Sequence, residues 1–250
     1  MDKISTLFKK QTYICIILIA IAIFCIIYGI HILNPTYVDW LLKGGDLTQH
    51  YLGWKAYRNS EWKFPIGYMN KLTYPNEVSV IFTDSIPIFA IFFKLFSSVL
   101  PDNFQYFGIW GILCFIMQAL MASRIIRHFT RNNYLVIIIS TLFIFTPAMI
   151  YRMYYHSALA GQWILLLALE PIFCRKNYMS SFKTYRVYGI IGVIAAFLHI
   201  YFVLMCGIIL TGKCCGEIIV EKKIKQSIGL IIWYILWAGL VIGILGRFTS

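Results

Sequence analysis

The chain has 250 residues, 60% of them hydrophobic and only 13% charged, with a formal net charge of +12. An average soluble domain carries about 25% charged residues, so this composition and a mean hydropathy of +0.75 exclude the soluble class. In so apolar a chain the excess of cations points to basic loops that face anionic lipid headgroups and fix topology, and it argues against nucleic acid as a partner.

The N-terminal Lys3, Lys9 and Lys10 precede an apolar run at 13–33. That run is too long for a signal-peptide core and no small-residue cleavage site follows it, so it reads as a retained first span. Further stretches of bilayer-crossing length are predicted at 106–123, 134–150, 157–174, 187–211 and 228–246. The expected fold class is an all-α membrane protein with six transmembrane helices in a single membrane domain over 1–250. Residues 34–105 form its first outer loop with juxtamembrane helices, and 106–250 hold the remaining spans.

Orientation turns on 80–100, VIFTDSIPIFAIFFKLFSSVL, which is apolar but carries Asp84, Pro87 and Lys94, all costly inside lipid. If it lies on the surface, one side holds Lys3, Lys9, Lys10, Arg124, Arg127, Arg131, Arg175, Lys176, Lys183, Arg186 and Arg247. The other side then holds only Arg152, Lys213, Lys222, Lys223 and Lys225. If 80–100 crosses, the two sides carry equal numbers of cations. The positive-inside rule selects the surface arrangement, with both termini cytoplasmic and 34–105 outside. The short loop 151–157 then shares the outer face.

The outer segment 39–79 is dense in Trp and Tyr, which suit a membrane–water interface. A helix is expected from Asp46 to Asn59, entered through Gly44 and Gly45. Asp46 with Gln49 three residues on fits a capping box. The competing reading makes Asp46 a catalytic base, with Gln49, His50 and Gly53 on nearly the same helical face. Asp84 and Ser85 precede Pro87, so Asp84 is placed to cap the next helix. Lys94 either snorkels to the headgroups or holds a lipid phosphate. Arg152 and His156 form R-x-x-x-H ahead of Gln162, and the Arg152 guanidinium suits a phosphate. Elsewhere, Glu170 is expected to pair with Arg175 or Lys176, His199 to hydrogen-bond a neighbouring helix, and Gly239 and Gly243 to mark close helix packing. The seven cysteines show no zinc-site or disulfide spacing.

The run GGDLTQHYLGW, then WKFP at 62–65, TYPN at 73–76, FTDSIP at 82–87 with Lys94 following, and YRMYYHSALAGQW at 151–163 resemble bacterial membrane glycosyltransferases of the GT-C type. The resemblance covers about 39–170. It implies a multi-pass protein of the bacterial inner membrane that takes a sugar from a polyprenyl-phosphate carrier and transfers it to an extracytoplasmic acceptor glycan or lipid. It maps the first-loop acid of the superfamily onto Asp46 as catalytic base. The substrate and phosphate contacts fall to Gln49, His50, Asp84, Ser85, Lys94, Arg152, His156 and Gln162. Some relatives use a divalent metal, for which Asp46, Asp84, His50 and His156 are the plausible ligands here. Superfamily enzymes are usually longer, so the chain is expected to be truncated, a fragment, or a minimal module that needs a partner membrane protein. The competing functions are a non-catalytic subunit of a longer glycosyltransferase and a transporter or flippase of lipid-linked sugars. For the latter, Gln118, Gln162, Glu170 and His199 offer a thin polar path.

Overall fold

The computed structural model describes residues 2–73, 75–174 and 181–246, with side chains from Lys10 onward except that of Ser181. Tyr74 of the TYPN motif, and Arg175, Lys176 and Arg247 of the charge argument, lie outside the described residues. The elements in chain order are α1 (Asp2–Tyr28), α2 (Gly45–Arg58), β1 (Tyr68–Met69), β2 (Val78–Ser79), α3 (Pro87–Lys94), α4 (Phe107–Ile126), α5 (Asn133–Ile144), α6 (Pro147–Tyr155), α7 (Trp163–Phe173), α8 (Ser181–Leu198), α9 (Ile200–Glu221) and α10 (Ile224–Leu245). Short 3₁₀ turns stand at Ile30–Leu33, Val80–Thr83 and Ser157–Ala160. The protein is an all-α membrane protein of several spans. Among the described residues, five helices are long and apolar enough to cross a bilayer: Lys10–Tyr28, Phe107–Ile126, Asn133–Tyr155, Ile200–Glu221 and Ile224–Leu245.

These elements form two compact units, one from residues 1–40 and 103–173, the other from 41–102 and 174–250. In the first, α4 packs on α1, α5 and α7. Phe24, Tyr28 and Phe115 meet in tilted and edge-on contacts at 5.0–5.6 Å. The Gln105 amide donates to the carbonyls of Ile32 and Asn34 and accepts from Gly108 N–H, tying the turn after α1 to the start of α4. The expected outer loop at 151–157 is instead the last turn of α6 running into a 3₁₀ turn. Glu170 pairs with Arg124 of a neighbouring helix at 2.7 Å, and its expected partners Arg175 and Lys176 lie outside the described residues.

In the second unit, the expected single span at 187–211 is two helices. His199 adopts an extended backbone and ends α8, and its side chain starts α9 by accepting the Tyr201 N–H. No glycine or proline marks this break. The helices α8 and α10 run parallel: Tyr185 bonds the Gln226 carbonyl, Gly189 faces Trp233, Gly192 faces Tyr234, and Ala196 packs with Val241 and Ile242. The intervening α9 packs beside both and is antiparallel to them, since Ser227 bonds Glu217 and Tyr234 bonds the Val203 carbonyl. Lys183, Arg186 and the lysines at 213–225 therefore lie at one end of this bundle, not at opposite ends as a single span would place them. Gly239 has open space beside it, so it makes no close packing.

The polar segment folds against the opposite end. The stretch 80–100 is a 3₁₀ turn and an eight-residue helix, far shorter than the roughly 20 residues a spanning helix needs. Two backbone-mediated contacts bind the hairpin of β1 and β2 to the end of α10: Ile66 N–H to the Ile244 carbonyl and Ser79 Oγ to the Leu245 carbonyl. Gly67 makes this approach possible, because a Cβ there would fall 2.3 Å from the Leu245 oxygen. The Arg58 guanidinium gathers the carbonyls of Ser97, Leu100 and Pro101, fixing the turn that follows α3.

Candidate functional site

Helix α2 begins as the glycines suggested, with Gly44 and Gly45 both at positive φ. The capping box does not form. Gly44 is the N-cap and no side chain caps the helix. Thr48 does the local work, accepting the Gly44 N–H and donating to the Leu41 carbonyl. Asp46 stands exposed in the first turn, where a carboxylate complements the helix dipole, and Gln49 is exposed beside it. The inward face carries His50, fully buried, and Gly53.

Against that face lies the turn at 79–86, which brings together groups that no local motif joins. Gly53 admits it: a Cβ there would sit 2.4 Å from Thr83 Cβ and 2.7 Å from Ser85 Oγ. Ser85 is fully buried and donates to the His50 carbonyl at 2.7 Å, so its hydroxyl fastens the turn to α2 and does not face a substrate. Asp84 and Ile86 both hold φ of 53°, the left-handed region. Asp tolerates that region, whereas for a β-branched residue it is a strained conformation that costs on the order of 1–3 kcal/mol and concentrates at functional sites. Asp84 therefore does not cap α3; Ile86 holds the cap position and Pro87 the first turn.

The left-handed turn presents the Asp84 carboxylate to two imidazoles. Oδ1 lies 2.8 Å from His199 Nε2, and Oδ2 lies 3.9 Å from His50 Nε2. Because His199 Nδ1 accepts the Tyr201 N–H, its proton resides on Nε2, which donates to Asp84. Thus the residue that breaks the helix is also the one that fixes the carboxylate. The imidazoles are buried while the Asp84 side chain remains 23% exposed, so a substrate can approach the carboxylate. The sequence offers His199 as a hydrogen-bonding residue between helices, or as part of a thin polar path. The signal that marks it as more is a lone ionisable residue within a long apolar run, which by default indicates function.

Lys94 does not snorkel outward. It is 3% exposed, with Nζ 4.0 Å from the Tyr57 ring centroid and 4.5 Å from that of Trp62. Burial lowers its pKa to about 8. The remaining predicted residues belong to the first unit. Arg152 is exposed on α6, His156 ends that helix, and half-buried Gln162 precedes α7. Of the four metal-ligand candidates, His50 and Asp84 are the pair that the second unit brings together. Their 3.9 Å separation suits two ligands of one divalent cation, with His199 orienting the carboxylate from its other oxygen.

No curated protein and no solved structure matches the chain. A family model does match, over residues 17–250, and the chain belongs to that family, DUF6311, a domain of unknown function.

Proposed function

We propose that this protein is a glycosyltransferase of the bacterial inner membrane that moves a sugar from a polyprenyl-phosphate carrier to an acceptor glycan or lipid outside the cytoplasm, with Asp84 as its base. The observation that carries this reading is the Asp84 carboxylate, held in a strained turn, fixed by His199 and left partly open beside His50. A general base must be oriented and within reach of the proton it removes. In the proposed step the acceptor oxygen attacks the anomeric carbon and its proton passes to Asp84. The bond from that carbon to the carrier oxygen breaks, and the lipid phosphate leaves with the electron pair. Asp46, exposed on α2 in the same unit, is the second carboxylate that could take the proton.

The bundle also supports a revised orientation. The end of α10 is bonded to the segment assigned to the outside, and the basic residues of 183–186 and 213–225 lie at the other end. We therefore place all of these cations in the cytoplasm with the N-terminus, α8, α9 and α10 each crossing, and the end of α10 outside. Arg152 then stays outside, Arg247 beyond the end of α10 joins it there, and the positive-inside bias still sharpens. The test of function is to incubate purified protein with a polyprenyl-phosphate hexose and an extract of envelope glycans, and to follow sugar leaving the lipid. Retention of all sugar on the carrier with every acceptor tried would remove the enzyme reading.

A further inference from the structure

Between α8 and α10 runs an apolar slot of about 190 Å³, lined by Arg186, Gly189, Ile190, Val193, Trp233 and Trp237. Gly189 gives the slot its shape. A Cβ at that position would lie 2.7 Å from Trp233 Nε1 and 3.2 Å from Trp237 Cδ1, so only glycine lets both indoles lie so close to α8. The indoles meet edge to face at 5.6 Å, and each remains 37% exposed. Along α8 the lining residues share one face at helical spacing. Their order is a cation first, then glycine, then two aliphatic side chains.

The charge around the slot is as ordered as its lining. Because α8 and α10 are parallel and α9 runs antiparallel to both, Lys183, Arg186, Lys222, Lys223 and Lys225 gather at the Arg186 end. Lys223 is paired with Glu221, whereas exposed Arg186 meets no carboxylate among the described residues. Asp84 and His199 belong to the opposite end, about 20 Å away along α8 at 1.5 Å per residue.

We propose that this slot is a specific site for one anionic glycerophospholipid, with the phosphate on Arg186 and one acyl chain over Gly189, against the Trp233 and Trp237 rings, toward Val193. A guanidinium pairs with phosphate through two parallel charge-assisted hydrogen bonds. Indoles suit the depth at which headgroup gives way to chain. The apolar lining rejects a hydrophilic ligand, and a zwitterionic headgroup carries no net charge to answer the gathered cations.

The test uses the full chain in detergent micelles, titrated with phosphatidylglycerol or phosphatidylcholine carrying the same brominated acyl chain. The tryptophan emission that disappears in a Trp233→Phe/Trp237→Phe variant is the signal assigned to the slot. That signal is expected to quench at a several-fold lower mole fraction of the anionic lipid, and unbrominated phosphatidylglycerol should relieve it. Arg186→Gln should bring the two curves together, while Arg186→Lys keeps most of the preference. Equal quenching by both lipids in the wild type, or a preference that survives Arg186→Gln, overturns the proposal. Relief by polyprenyl phosphate but not by phosphatidylglycerol also overturns it, by giving the slot to the carrier lipid.

Discussion

Replacing Gly53 by Ala adds one methyl group at the contact that places Asp84. The new Cβ would stand 2.4 Å from Thr83 Cβ and 2.6 Å from Thr83 Oγ1, closer than side chains tolerate, so α2 and the 79–86 turn must separate. Overpacking of this kind costs about 1–3 kcal/mol. Separation also stretches the buried bond from Ser85 to the His50 carbonyl, worth about 1 kcal/mol. Against these, alanine gains roughly 1 kcal/mol over glycine in a helix interior. The net expectation is a loss of about 1–3 kcal/mol, seen as a melting temperature lower by several degrees in micelles. Transfer should fall more than stability, because the same displacement moves the carboxylate. Gly212→Ala in α9, where nothing lies within 4 Å, is the control and should be neutral or slightly stabilising. A Gly53→Ala protein at least as stable as wild type, with unchanged transfer, would refute the packing argument.

His199→Asn keeps a good helix cap but cannot span to Asp84, so it should lose the roughly 1.5–3 kcal/mol of that charge-assisted bond and transfer poorly, while His199→Ala should lose about 1 kcal/mol more with the cap; thermal scans and transfer rates on both variants check this. For Lys94, the folded-state pKa of about 8 lies below the ordinary value of 10.5, so between these pH values the unfolded chain binds more protons and stability rises with pH. Lys94→Met should flatten that rise, and melting curves from pH 7 to 10.5 measure the difference. Single cysteines in place of Lys183 and Lys225 should react from the same side of the membrane, and one at Asn59 from the other; labelling of Lys225 and Asn59 positions from one side together would return the bundle to the single-span arrangement.

The sequence made legible what local chemistry controls. Two glycines opened α2, Pro87 marked the first turn of α3, and three costly residues argued against a spanning helix at 80–100, where α3 is only eight residues long. Errors arose where a distant partner decides. Asp46 and Gln49 have capping-box spacing, yet the helix starts at Gly45 with Gly44 as its cap, which leaves Asp46 inside the first turn and Thr48 to meet the Gly44 N–H. Hydropathy carries no break at 199, since the helix ends there by a histidine whose partners are Tyr201 N–H and Asp84, 115 residues earlier. That pairing in turn hid the topology, because it converts one span into a hairpin. The burial of Lys94 followed the same logic: its environment comes from Tyr57 and Trp62, which no periodicity connects to it.

Whether Asp84 removes the acceptor's proton is decided by the transfer rate of Asp84→Asn. Asn tolerates the left-handed backbone, and its amide oxygen can still accept from His199 Nε2, so the turn should persist. The carboxylate's charge and its capacity to accept a proton are lost together, and loss of a positioned base costs about 10²–10⁴-fold in rate. Asp84→Asn should fold normally with transfer reduced by that factor, and Asp46→Asn should keep near-normal transfer. Full transfer by Asp84→Asn would contradict the base role of Asp84, and a loss confined to Asp46→Asn would give the proton to the exposed carboxylate of α2.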